Sequence, residues 1–271
     1  MTERKLGRRP PIPDRPRLRL GTYLRAIPTA PSSADHLARV PSWILGGNDR
    51  YSDCGPVSVA NDRLLVSTYL TGRPQVVSEA AIFDLYRRSG NPGFDPATGS
   101  DDGGVVLQVM LEALLEGGID GVRPVAFAAV DHTSLDEMRA AVAIFGSLLV
   151  GVNLDVAQQR QKLWDYRPSA EWGGHAVMCG RYSESPDRTG VVTWGAVTDV
   201  TDAFVEHQLD EAWVVIWPEH LGTRAFEEEL TLAALKADFL ALTGRPMLPQ
   251  PPGYVARALG CLQGFLRRVH R

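Results

Sequence analysis

The sequence predicts an α+β fold in which a helical part carrying Cys54 packs against an antiparallel β part carrying His175. Apolar residues at 57, 60, 64, 65 and 69 follow Cys54 at close to helical spacing, and more amphipathic helical stretches fill the chain up to about residue 120. Beyond that point the apolar runs are mostly short and strand-like, so helices and strands are segregated rather than alternating. With 271 residues and 44% hydrophobic content, the chain can bury one large core or two smaller ones sharing an interface.

Residues 1–20, with Pro10, Pro11, Pro13 and Pro16, cannot form a regular helix and read as an extended basic arm. Residues 21–220 form the main domain, its helical part at about 44–120 and its β-rich part at about 121–220, and residues 221–271 make a helical extension with a basic tail. The first long helix begins at Cys54, accepts Pro56 in its opening turn, and stops at Gly72 and Pro74. A second helix runs from Ser78 to Ser89 and ends at Gly90. The turn-rich loop after it holds Asp95, Asp101 and Asp102, without the alternating ligand spacing of a calcium loop. Gly103-Gly104 then open an apolar helix that closes at Gly117-Gly118.

Val122 to Val130 reads as extended, and Ser134 with Glu137 has capping-box spacing for a helix ending at Phe145. Leu148 to Leu154 is a buried strand, Ala176 to Gly180 another, and Val191–Gly195 and Ala212–Trp217 are expected to flank the histidine strand. One helix through Phe226, Leu230, Leu232, Leu235 and Phe239 follows, then a proline-rich break and a tail around Cys261.

The net charge of −4 is unevenly spread: residues 1–25 carry eight Arg or Lys against two acids, and residues 256–271 carry four Arg against none. The remaining body holds 16 basic and 30 acidic residues, so two basic arms flank an acidic centre suited to docking on an acidic protein surface. Neither arm interleaves aromatic residues as base-stacking platforms, which argues against nucleic acid as a partner. No segment approaches the roughly 20 apolar residues of a membrane span. The Arg- and Pro-rich start lacks the apolar centre of a secretion signal, so a cytoplasmic or virion-associated location is expected. Cysteines at 54, 179 and 261 form neither a disulfide framework nor a zinc set, and no metal or cofactor is expected.

Cys54 at a helix start and His175 after Gly173-Gly174 are the candidate nucleophile and base. A helix N-terminus and a neighbouring imidazolium lower a thiol pKa from about 8.5 to roughly 3.5 to 7.5. The order of motifs resembles the papain-like cysteine peptidases over about residues 44–217. In that family a glutamine lies six residues before the cysteine, where this chain has Asn48. Paired glycines open a helix ending in Gly-Gly-Ile, as at Gly103-Gly104 and Gly117-Gly118-Ile119; the histidine strand looks like Gly174-His175-Ala176-Val177, and Asn-Ser-Trp-Gly resembles Val192-Thr193-Trp194-Gly195.

The resemblance implies that Cys54 attacks a carbonyl, that His175 takes and returns the proton, and that Asn48 with the Cys54 amide holds the oxyanion. The family's ring-orienting asparagine falls on Val192 without a gap or Thr193 with one. Thr193 offers a hydroxyl; Asp199 is the second choice, though capping the helix near Ala203 and Phe204 suits it better. The implied activity is hydrolysis of peptide or isopeptide bonds, or acyl transfer to an amine, with a polypeptide as substrate. The alternative is a weak or inactive papain-like module that binds an assembly. The Gly-Asn-Asp approach to the cysteine and the Val-Val-Thr-Trp-Gly strand also look like papain-like proteins of actinobacteria and their phages.

Overall fold

A computed structural model of the chain describes residues 4–247. In order, the elements are α1 (Leu20–Tyr23), β1 (Ser33–Asp35), α2 (Cys54–Thr71), α3 (Glu79–Arg88), α4 (Leu107–Gly117), β2 (Ala126–Val130), α5 (Leu135–Phe145), β3 (Leu148–Asp155), β4 (Leu163–Trp164), β5 (Glu171–Glu184), β6 (Asp187–Thr193), β7 (Ala196–Val200), α6 (Asp202–Gln208), β8 (Leu209–Ile216), α7 (Arg224–Glu229) and α8 (Leu232–Thr243). The proline-rich break and the Cys261 tail lie outside the described residues.

The strands form one sheet in the order β2-β8-β3-β5-β6-β7-β4, with β1 on the far end of β5. Pairing is antiparallel except between β4 and β7. The fold is α+β: helices α2, α3 and α4 carry the cysteine side, and the sheet carries the histidine side.

α2 passes through the interior. Residues 54–67 are all buried, so its polar groups need partners within the protein. Asn61 accepts from the amide of Ile44 and donates to the carbonyls of Ile44 and Val57. Asp62 accepts from the Ser147 hydroxyl and, at 2.6 Å, from the Trp217 indole, while Arg63 pairs with Glu219. These contacts tie the helix to the start of β3 and the chain following β8. Gly72, at φ 67°, ends α2 in the left-handed region that glycine tolerates.

Several local expectations are corrected. Gly104, at φ 75°, does not open α4, which begins at Leu107; Gly104 turns the chain in the left-handed region and Val105 then pairs with the N-terminal arm. Ser134 caps α5 by accepting from the amide of Glu137, but the Glu137 carboxylate reaches the Asp131 amide instead of completing the reciprocal box. β8 pairs with β2 and β3, so it is separated from the histidine strand by one strand. The helix expected through Phe226 and Phe239 is two, broken at Leu230 and Thr231 where the chain pairs with Leu24 and Tyr23.

Candidate active site

The chain reaches Cys54 through a loop turned by Gly46 and Gly47, at φ 56° and 92°. This loop carries Asn48, which is buried and donates its backbone amide to the Leu45 carbonyl at 2.9 Å; its side-chain Oδ1 has no partner. Asp53 precedes the nucleophile candidate with both carboxyl oxygens buried and unpartnered. Burial, reinforced by Asp102, Glu79 and Asp49, pushes its pKa well above the usual carboxylate range.

Cys54 is the first residue of α2 and is fully buried. Its sulfur accepts the Ala176 amide at 3.4 Å and is also approached by the backbone amides of Gly7 and Gly55. Ala176 follows His175 on β5, so the amide that meets the thiol belongs to the residue next to the imidazole, at the junction of the helical and sheet layers. The His175 Nε2 lies 2.7 Å from the Thr193 hydroxyl, and its Nδ1 is buried without a partner. Trp194 stacks on the imidazole, with centroids 4.6 Å apart and planes at 17°, and Arg4 lies 4.2 Å from the Trp194 ring centroid. A φ of 49° at Trp194 turns the chain just after Thr193.

Asp199 lies elsewhere. On β7 it forms an ion pair with Arg181, and the cap of α6 is Thr201, whose hydroxyl accepts the Phe204 amide. Cys179 is buried further along β5, its thiol donating to the Arg181 carbonyl. Among the described residues, no group of three or more His, Cys, Asp or Glu is placed to hold a metal, and no helix is long and apolar enough to cross a membrane.

The N-terminal arm lies across this site. Arg8 donates its amide to the Gly174 carbonyl at 3.0 Å; Val105 donates to Gly7 and Arg9 donates to Val105, both at 2.7 Å. The arm therefore runs parallel to the 104–105 segment. Glycine is required on both sides of the contact: a Cβ at Gly7 would sit 1.9 Å from the Ser52 carbonyl oxygen, and one at Gly174 would sit 2.3 Å from that of Arg8. The Gly7 amide lies near the sulfur, and its carbonyl accepts from the Val105 amide.

This arm changes the electrostatics expected for Cys54. Burial pushes the thiol up to about 12, opposed by the Ala176, Gly7 and Gly55 amides. Burial, with the charges of Arg4 and Arg8, lowers His175 to about 3. With the arm in place the pair is a neutral thiol and a neutral imidazole, not the thiolate and imidazolium that an open helix start favours.

Three features escaped the sequence reading: the Trp194 stack, the arm over the thiol, and the seat of Arg8 among Asn153, Asp210 and Glu211. The only prior signal was Gly7 set between a leucine and two arginines, a residue type that permits close backbone approach.

The architecture matches solved cysteine proteases. The chain superposes on xylellain, a cysteine protease from Xylella fastidiosa, with TM-score 0.63 and 14% identity over 80% of this chain and 98% of that one. Against procathepsin B S9 from Trypanosoma congolense the TM-score is 0.54 at 14% identity, covering 78% and 86% of the two chains. Against the Carica candamarcensis protease CMS1MS2, in a complex with E-64, it is 0.52 at 16% identity, covering 69% and 99%. No protein-family model and no curated protein sequence matches the chain. At these identities the likeness establishes the papain-like fold.

Proposed function

We propose that this chain is a thiol hydrolase that cleaves peptide or isopeptide bonds through Cys54 and His175. The observation that carries the reading is a cysteine at a helix start whose sulfur accepts the amide of Ala176, the neighbour of a histidine whose Nε2 lies against the Thr193 hydroxyl and whose Nδ1 is left without a partner. A nucleophile needs an adjacent base, and that base needs an orienting group. Thr193 fills the third role with a hydroxyl, and the Trp194 face fixes the plane of the ring.

In the proposed reaction the His175 Nδ1 takes the thiol proton as Cys54 Sγ bonds to the substrate carbonyl carbon. The proton passes to the leaving amine when the C–N bond breaks, and water then hydrolyses the thioester, releasing the acid and restoring the thiol. The Cys54 amide and Asn48 are the donors for the oxyanion; losing one such donor typically costs about 100-fold to 1,000-fold in rate. An amine in place of water would give acyl transfer.

The test is alkylation and peptide hydrolysis by the full chain and by Arg8→Ala, which loosens the arm. We expect Cys54 in Arg8→Ala to alkylate faster than Cys179 near neutral pH and hydrolysis to vanish in Arg8→Ala/Cys54→Ala. If Cys54 stays no more reactive than Cys179 with the arm loosened, the activated-thiol reading fails.

The buried neutral thiol under the arm supports a second reading, a papain-like module that binds an assembly without chemistry. The sequence likeness to proteins of actinobacteria and their phages makes a virion such an assembly. On that reading Cys54→Ala keeps partner binding while deletion of residues 1–20 or 253–271 removes it.

A further inference from the structure

Arg8 enters the sheet layer beside the thiol. Its guanidinium donates to Asp210 at 2.7 Å and to Glu211 at 3.3 Å from one nitrogen, and to Asn153 from the other. The Arg8 side chain is 1% exposed, Glu211 5% and Asp210 33%, so the pocket is nearly closed around the cation. Glu211 is fixed from behind by the Trp213 indole, which donates to it at 2.7 Å.

Gly151 forms the floor. A Cβ there would lie 2.6 Å from the Arg8 Cδ and 2.7 Å from the Glu211 Cγ, so glycine leaves room for a long aliphatic stem. Register sets the pocket beside the thiol: Ala176 on β5, Gly151 on β3 and Glu211 on β8 stand abreast. At about 4.8 Å per strand, the Glu211 backbone lies roughly 10 Å from the residue whose amide meets the sulfur.

Two neighbouring carboxylates in such a place are stabilised by a cation. Emptied of Arg8, the pocket would hold like charges with little water, an arrangement costly to maintain. Asp210 and Glu211 also border a cavity of about 490 Å³ lined in part by Pro11, Ile12 and Pro13 of the arm.

We propose that Asn153, Asp210 and Glu211 above Gly151 form a subsite for an arginine side chain of a peptide lying in the cleft, and that Arg8 occupies it in the resting chain. The inference rests on reading the cleft as a peptide-binding site. The Gly174 carbonyl and the Val105 backbone groups, which hold the arm, then bind the peptide main chain, and the pocket selects the side chain. A guanidinium meets two carboxylates and an amide oxygen; a neutral urea of the same shape keeps the stem contacts but loses the charge pairing.

The experiment uses the full chain carrying Arg8→Ala and Cys54→Ala, and a peptide of residues 4–13 added in trans, with arginine or citrulline at the position of Arg8. By fluorescence anisotropy we expect the arginine peptide to bind roughly tenfold or more tightly, because the desolvated charge pair is lost with citrulline. Adding Asp210→Asn or Glu211→Gln should reduce the ratio to about threefold or less. Asp210 is partly exposed, so its variant preserves a fold check by thermal melting should Glu211→Gln unfold.

Equal binding of the two peptides, binding of neither, or a ratio unchanged by both carboxylate variants would overturn the subsite. Peptide hydrolysis by Arg8→Ala with Cys54 intact separates this outcome from the chemistry. Arginine-selective binding without hydrolysis sinks the hydrolase reading and keeps the pocket, whereas hydrolysis indifferent to arginine does the reverse.

Discussion

At the scale of single residues, a hydroxyl stands beside the imidazole where the papain-like resemblance leads one to look for an amide. The Thr193 hydroxyl sits 2.7 Å from the His175 Nε2, which can donate to it or accept from it. Thr193→Val should leave a buried ring nitrogen unpaired at a cost of about 1–3 kcal/mol, seen as a lowered denaturation midpoint. In the Arg8→Ala background it should also slow Cys54 alkylation, with Thr193→Ser restoring most of the rate. Alkylation unchanged in Thr193→Val would show that the hydroxyl does not orient the base. Asn48 is likewise legible as a position six residues before the cysteine. Its burial with an unpartnered Oδ1 follows from the turn made by Gly46 and Gly47.

At the scale of elements, α2 and the arm have opposite characters. α2 was readable from its apolar spacing and from Pro56 and Gly72, because helix periodicity and stop signals are local. Leu65 in its centre is fully buried and lies against the Gly180 position of β5. Leu65→Ala should cost roughly 2–5 kcal/mol, measurable by urea titration. The arm was readable only as extended. Its course was not, since its hydrogen bonds go to Gly174 and Val105, residues far away in the chain. Gly151→Val should expel the Arg8 side chain by filling its floor and so expose the thiol. Faster alkylation of Cys54 than in the native chain is the expected outcome, and an unchanged rate would mean that Arg8 does not anchor the arm.

At the scale of the whole molecule, one buried network joins the helical and sheet sides. His220 accepts the Trp217 amide and donates to the Phe145 carbonyl, each at 2.9 Å, close to where Trp217 bonds Asp62 of α2. Burial lowers the His220 pKa from 6.5 to about 4. The unfolded chain therefore takes up a proton that the folded one refuses. The stabilising contribution of neutral His220 is full above pH 6.5 and is lost as pH falls towards 4. The stability difference between the native chain and His220→Asn should shrink across that window; a constant difference would mean that His220 is already protonated in the fold.

The sequence by itself determined the α+β class, the boundaries of α2, α3 and α5 and the chain order of Cys54, His175 and Thr193, because these rest on local periodicity, local turn chemistry and motif order. Tertiary structure alone decided that β8 pairs with β3 and not with the histidine strand, that Asp199 goes to Arg181 while the Thr193 hydroxyl meets the imidazole, and that the arm covers the thiol with Arg8 between two carboxylates. Register and the pairing of buried charges depend on which distant segments are neighbours. That is settled when the whole core closes and every buried polar group must find a partner.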